Sequence, residues 1–172
     1  MKEWIKDIAI AVIVGVLILQ FIKPTIVKEH SMRPTLNENN YIFLSKQAYR
    51  FHEPERGDII VFHTDLLQAN GQEKLLIKRI IGVPGDVISI KDGIVYRNGK
   101  ALVEPYTMEG YTATDMEEIQ IPDDKVFVMG DNRQNSIDSR DSSVGMIGEN
   151  LIVGKAVFRL YPFDEIGLLA NK

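Results

Sequence analysis

Ser31 and Lys78, 47 residues apart, are the side chains of this sequence whose types could together carry covalent chemistry. Ser31 opens Ser31-Met32-Arg33-Pro34-Thr35-Leu36, and Lys78 opens Lys78-Arg79-Ile80-Ile81-Gly82-Val83-Pro84-Gly85-Asp86. A serine hydroxyl is a weak nucleophile until a base takes its proton, and a desolvated lysine amine can be that base. Each residue also has a plain reading: Ser31 as a turn serine before a proline, Lys78 as a strand lysine snorkelling to water. Strand parity favours the chemical one for the lysine. Side chains alternate along a strand, so Leu76, Lys78 and Ile80 share one face while Leu75, Ile77, Arg79 and Ile81 share the other. Neither face is plainly solvated. Burial lowers a lysine pKa from ~10.4, and a drop of roughly 2–3 pH units leaves useful neutral amine near neutrality.

His30, His52 and His63 are the competing bases. His30 is the chain neighbour of Ser31, and adjacent residues in extended chain point opposite ways. A Ser-His-Asp triad assembled from distant positions stays open at this point. Three histidines without ligand-like spacing give no metal site. A third cluster runs from Gly130 through Asp131, Asn132, Arg133, Ser136, Asp138 and Arg140 to Asp141. It fails as a calcium loop: counted from Asp131, position six is Ser136 rather than glycine and position twelve is Ser142 rather than glutamate. What remains is a lattice of charges and hydrogen-bonding groups able to rigidify a site.

The elements that must position these groups read mostly as strands. Residues 41–44, 58–62, 75–81, 87–90, 94–97, 126–129 and 151–160 are short runs rich in β-branched and aromatic residues. Asp92-Gly93 marks a hairpin and Asn98-Gly99 a further turn. Residues 101–122 are more polar and form a small excursion or subdomain. The expected fold is mostly β, an antiparallel sheet domain of residues 24–172 behind residues 1–23, a short tail and an apolar anchor. Residues 8–19 are unbroken apolar chain apart from Gly15, and residues 4–22 approach the ~20 that a spanning helix requires. The run ends Gln20-Phe21-Ile22-Lys23-Pro24, without the small residues of a cleavage site. Lys2 and Lys6 on one side face Lys23 and Lys28 on the other, so charge leaves the orientation open. The chain has 172 residues, 45% of them hydrophobic and 26% charged, and carries a net charge of −4. That composition suits a domain with a real core and argues against non-specific nucleic-acid binding. No cysteine is present, which removes disulfides and thiolate chemistry.

Taken in order behind an apolar N-terminus, these motifs resemble the bacterial type I signal peptidase family over nearly the whole chain. Ser31-Met32-x-Pro34-Thr35-Leu36 resembles its nucleophile box, Gly57-Asp58-Ile59-Ile60-Val61-Phe62 its next strand, Lys78-Arg79-x-x-Gly82-x-Pro84-Gly85-Asp86 its general-base box, and the Gly130 to Arg140 cluster its last box. The resemblance implies a membrane-bound serine endopeptidase that needs no cofactor and removes signal peptides from secreted preproteins. It implies Ser31 as nucleophile, Lys78 as general base, Ser136 as the serine that orients the amine, and Arg79, Asp131, Asp138 and Arg140 as supporting charges. Small pockets for the substrate residues one and three before the cut follow, with Val27, Met32, Leu36, Leu76 and Ile77 as lining. So do a cytoplasmic N-terminus, an extracytoplasmic catalytic domain, and signal peptides, membrane lipid and the secretion translocon as partners. Some members place a hydroxyl two residues before the nucleophile to bind the oxyanion; here that residue is Glu29. The other classes weighed are a non-catalytic membrane-anchored relative, a structural membrane protein, and a self-cleaving regulatory protease. The last would need a DNA-binding helical domain that nothing here supplies.

Overall fold

Two Asx-Gly pairs cut the middle of the chain into hairpins. In the computed structural model, Asp92 and Gly93 hold φ of 51° and 80°, and Asn98 and Gly99 hold 53° and 74°. Positive φ at both central residues is what a two-residue hairpin turn with native strand twist demands. The structure describes residues 2–169, with the side chains of 2, 3 and 16–19 outside the description.

A helix, α1 (Lys2–Phe21), runs directly into β1 (Ile22–Ile26), followed by β2 (Tyr41–Ser45), β3 (Ile59–Leu67), β4 (Glu73–Gly82), β5 (Val87–Lys91), β6 (Ile94–Arg97), β7 (Lys100–Ala101), β8 (Met116–Gln120), β9 (Lys125–Met129), β10 (Ile147–Gly148), β11 (Ile152–Tyr161) and β12 (Gly167–Leu168). The main sheet has the order β1-β2-β11-β3-β4-β9-β10, with β12 paired to β11; the smaller sheet has the order β7-β6-β5-β8. Every pairing is antiparallel. The expected mostly antiparallel β architecture is the observed one. β1, which straddles the expected boundary between residues 23 and 24, carries Pro24 and sits at the sheet edge, where the missing N–H costs no ladder bond. The small sheet begins at Val87, and residues 101–122 give it β8 and the irregular segment before it.

Among the described residues three apolar clusters fill the interior. One joins Val27, Met32, Leu36, Ile42, Leu44, Ile59, Val61 and Ala156. A second joins Ile60, Phe62, Leu76, Ile80, Val126, Val128 and Ile147 across β3, β4 and β9. The third, around Ile81, Ile88, Ile90, Val95, Ile121, Phe127 and Met129, ties the small sheet to the main one. Asp86 fixes that junction: it accepts Nε and Nη2 of Arg56 at 2.8 Å each, Nδ2 of Asn98 at 2.8 Å and the N–H of Val83 at 3.1 Å.

The N-terminal helix expected from the sequence is present, and among the described residues no helix is long and apolar enough to cross a membrane. Lys6 and Asp7 interrupt its start, and the apolar stretch whose side chains are described, residues 8–15, is shorter than the ~20 residues a bilayer demands. The rest of the apolar run, residues 16–19, lies outside the described side chains.

Candidate active site

β4 delivers the lysine and the turn after β1 delivers the serine. Lys78 pairs with Ile60 on β3, one residue before β9 begins to flank β4 on its other side at Arg79↔Met129. That position buries its stem among the apolar residues of three strands, and only 1% of Lys78 is exposed. Its Nζ donates to Ser31 Oγ at 2.6 Å and to the carbonyl oxygen of Ile77 at 3.1 Å. Ser31 is itself buried. It stands at the start of a turn closed by bonds from Arg33 N–H to His30 O and from Leu36 N–H to Met32 O. Burial drives the lysine amine down from its ordinary 10.5 to about 8, against Asp138, Glu29 and Asp131, which favour the ammonium; Lys74 pushes the same way as burial. Among the described hydrogen bonds the N–H of Ser31 donates none. Glu29 does not face the hydroxyl as a donor: its carboxylate pairs with Lys74 at 2.5 Å.

Around this contact lies a lattice of paired charges. Arg79, the residue after Lys78, donates through Nε and Nη2 to the two oxygens of Asp131 at 2.8 and 2.7 Å, and through Nη1 to Gly57 O at 3.0 Å. Thr35, on the turn that holds Ser31, donates its hydroxyl to the same Asp131. The next residue, Asn132, donates its N–H to Ser31 O at 3.0 Å and its amide to His30 O at 3.2 Å. The loop after β9 therefore grips both the strand of the lysine and the turn of the serine. Asp138 organises its far side. It accepts from Arg140 Nε at 2.8 Å and Nη2 at 2.9 Å, from Gly130 N–H at 2.9 Å and from Ser136 Oγ at 2.6 Å. Burial alone would push this carboxyl up, yet Arg140, Ser136 and the Gly130 N–H together hold it below the usual carboxylate range.

Ser136 departs from expectation. It was to orient the lysine amine directly, but its hydroxyl goes to Asp138, and the amine's described partners are Ser31 and Ile77. Ser136 is nonetheless next to the turn that holds Ser31. A Cβ placed on Gly130 would overlap both Ser136 Oγ and Ser31 O, so the two meet across a bare glycine. Asp138, paired with Arg140, is a charged acceptor, and the charge-assisted bond to it engages the Ser136 hydroxyl.

The residues expected to line substrate pockets divide. Val27, Met32 and Leu36 are core residues of one cluster, with Ile77 packed against it. Leu76 belongs to the opposite cluster. The cause is strand parity, which sends neighbours 76 and 77 to opposite faces. Two of the histidines face carboxylates, His30 toward Glu38 at 3.7 Å and His63 toward Glu73 at 3.4 Å, and the described partner of the Ser31 hydroxyl is Lys78.

The family model of signal peptidase, peptidase S26, matches residues 1–161. The chain belongs to that family. It is an enzyme, a serine peptidase of the signal peptidase I kind. Signal peptidase I of Bacillus amyloliquefaciens is 40% identical over 174 residues, covering 95% of this chain and 90% of that one. A probable signal peptidase I-1 of Synechocystis is 38% identical, covering 99% of this chain and 87% of its own length. Signal peptidase I S of Bacillus subtilis is 39% identical, covering 95% and 91%. A crystal structure of a signal peptidase I from Enterococcus faecalis superposes with a TM-score of 0.48 at 30% identity over 60% of this chain and 97% of that one.

For this signal peptidase the sequence reading overlooked the outer wall of the site. Glu104 accepts both Nη atoms of Arg133 at 2.6 Å, and Arg133 Nε donates to Gly130 O at 3.1 Å. Tyr106 covers the guanidinium of Arg79 at 4.1 Å from the ring centroid. Arg133 lay within a motif already singled out. Glu104 and Tyr106 lie in an irregular polar stretch with no periodicity to flag them.

Proposed function

We propose that this signal peptidase is a membrane-anchored endopeptidase in which Ser31 attacks the scissile carbonyl and Lys78 is the general base. The observation that carries this reading is the 2.6 Å contact between the Ser31 hydroxyl and a buried amine lowered to about pKa 8. At pH 7 an amine of that kind is neutral in roughly a tenth of molecules, enough for a base whose proton transfer is otherwise well placed. The neutral amine accepts the Ser31 proton as Oγ bonds to the carbonyl carbon. The oxyanion that forms takes the free N–H of Ser31, a donor held ready rather than recruited. Collapse breaks the C–N bond, and the Lys78 ammonium protonates the leaving amine. The neutral amine then deprotonates water, which attacks the acyl-enzyme; Oγ leaves and recovers its proton from Lys78.

Arg79 with Asp131, and Asp138 with Ser136 and Arg140, act in this scheme as support: they hold the two backbones that carry the dyad. The substrate is the signal-peptide region of a secretory preprotein. An extended chain fits the edge of β4, because β9 pairs with β4 only from Arg79 onward and leaves residues 73–78 open on that side. Main-chain bonds at such an edge give affinity, and alternate side chains enter pockets. The small residues at positions −3 and −1 would meet the turn of Val27, Met32 and Leu36 and the β4 residue Ile77, with Leu76 lying beneath on the other face.

α1 serves as the anchor, with residues 1–23 as tail and anchor, 24–172 as the extracytoplasmic catalytic domain, and the N-terminus cytoplasmic. Its support is packing: among the described residues of the helix, Ile8, Ile10, Val12 and Ile13 are each more than half exposed. Lipid is the solvent that such a surface fits. Tethering the enzyme where signal peptides emerge beside the translocon raises the effective concentration of both. The test is preprotein processing by full-length Ser31→Ala and Lys78→Ala variants in vesicles. Each is expected to lose processing by ~10³-fold or more; wild-type-like processing by either one overturns the dyad.

A further inference from the structure

The segment between β7 and β8 leaves the small sheet and folds back over the main one. Tyr106 is its inner face. The ring covers the Arg79 guanidinium at 4.1 Å, inside the range where a cation is held by the quadrupole of an aromatic face. Its hydroxyl donates to Glu104 Oε1 at 3.0 Å, and Glu104 takes both Nη atoms of Arg133, which also reaches Thr112 Oγ1 at 3.0 Å. Met108 N–H donates to Asp131 O at 3.2 Å. The segment therefore clips onto the 130–133 loop through charge, ring and backbone. That loop holds Ser31 O through Asn132 N–H, and Arg79 is the chain neighbour of Lys78.

We propose that Tyr106 is a positioning residue of the Ser31–Lys78 pair: its ring covers a face of the guanidinium in the Arg79–Asp131 ion pair, and through that pair it fixes the separation of the strand bearing Lys78 from the turn bearing Ser31. The inference rests on the dyad reading above. Arg79 fills its edge with bonds to Asp131, Gly57 and Thr35. A planar guanidinium with its edge satisfied is left with its faces, and an aromatic face is the group that can cover one without competing for those hydrogen bonds. Without the ring, water reaches the guanidinium and the ion pair is screened. The two backbones gain freedom, and the burial of Lys78 weakens. The charged groups that face Lys78 are Asp138 and Asp131 of the loop after β9, Glu29 before the serine and Lys74 on β4. None of them changes in a Tyr106 variant, so a shift in the lysine's titration reports the lost seal.

The experiment uses full-length enzyme in detergent and a signal-peptide substrate, with kcat, KM and the acid limb of the pH–rate profile measured for Tyr106→Phe and Tyr106→Leu. Phe keeps the ring and is expected within about threefold of wild type. Leu is expected to lose about tenfold or more in kcat, with KM changed less than about twofold, because a small misplacement of reacting groups acts on the chemical step. Its acid limb is expected to move to higher pH, as the lysine returns toward its ordinary value. If the Leu variant does not fold, trifluorophenylalanine at position 106 keeps the ring's size and removes its negative face, and the same fall in kcat relative to Phe is expected. Unchanged kcat and acid limb in the Leu or trifluorophenylalanine variant overturns the role of Tyr106. So does equal damage by Phe and Leu. Ser31→Ala and Lys78→Ala run alongside: activity in either one overturns the dyad itself, whatever Tyr106 does.

Discussion

Replacing Lys78 with methionine should make the enzyme inactive and more stable at once. The amine is 1% exposed and sits at about pKa 8 against an ordinary 10.5. At ~1.36 kcal/mol per pH unit, keeping it protonated in the folded state costs about 3 kcal/mol. Methionine has nearly the same length and no charge. It removes that cost but leaves the Ser31 hydroxyl without its partner, a loss of about 1 kcal/mol. The expected net gain at pH 6–7 is therefore about 2 kcal/mol. The sign follows from proton binding. Between about pH 8 and 10.5 the unfolded chain binds more protons at this lysine than the folded one, so wild-type stability rises with pH there. Below about pH 8 both states are protonated and the penalty is at its full value; above about 10.5 it is gone. The gain in Lys78→Met should thus be flat from pH 6 to 8 and then decline. Urea unfolding in detergent, followed by near-UV circular dichroism of tyrosine, reads this cleanly: the one tryptophan, Trp4, lies on α1, while the 6 tyrosines lie beyond it. A variant less stable than wild type at pH 6, with a difference independent of pH, would refute a desolvated lysine at this site.

Gly130→Ala sets a side chain where Ser136 Oγ and Ser31 O already lie. Overpacking of that kind costs about 1–3 kcal/mol, and preprotein processing should fall by about 10²-fold because the strain is released through the nucleophile turn; the thermal midpoint and processing rate of the one variant check both. Glu29 and Lys74 act on Lys78 with opposite sign, the first favouring the ammonium and the second opposing it. Glu29→Gln should therefore move the acid limb of the rate profile to lower pH, Lys74→Met to higher pH, and the double variant back toward wild type. Lys78→Arg keeps a cation that stays charged at any working pH, so its processing should be as low as that of Lys78→Ala.

The motifs made Ser31, Lys78 and the Gly130 to Arg140 cluster legible because their residue types are unusual for their settings: a lysine between apolar neighbours, five charges in one loop. The strands were legible for a different reason, the β-branched runs closed by Asx-Gly turns, whose φ values the structure reproduces at residues 92, 93, 98 and 99. The losses have physical causes. Leu76 and Ile77 are both expected as pocket lining, but parity separates them, and the structure sends them to different clusters. Ile81, placed by parity with Ile77, joins a third cluster, where the pairing of β4 with β9 shifts register between Ile80 and Gly82. A bulge leaves no mark in composition. β8 was missed because four of its five residues are exposed and polar patterning there resembles a loop. Tyr106 was missed because stacking on a guanidinium depends on which residues the fold brings face to face, and no spacing rule encodes it.

The allocation of charge explains why this site can keep a buried amine available. Each arginine in the lattice has a carboxylate bonded to it: Arg79 has Asp131, Arg133 has Glu104 and Arg140 has Asp138. Guanidinium groups cannot shed a proton to lower the cost of burial, so each must be matched. Lys78 alone among the described buried cations is bonded to a hydroxyl and a carbonyl instead. Asp138 and Asp131 favour its ammonium from nearby, but their oxygens are held by arginines, a serine, a threonine and a backbone N–H. The lattice thereby withholds its carboxylates from the one cation able to become neutral. A single carboxylate released toward Lys78 would raise its pKa and end the use as a base proposed for it, which makes the arginines guardians of the lysine's proton affinity as well as struts of the fold.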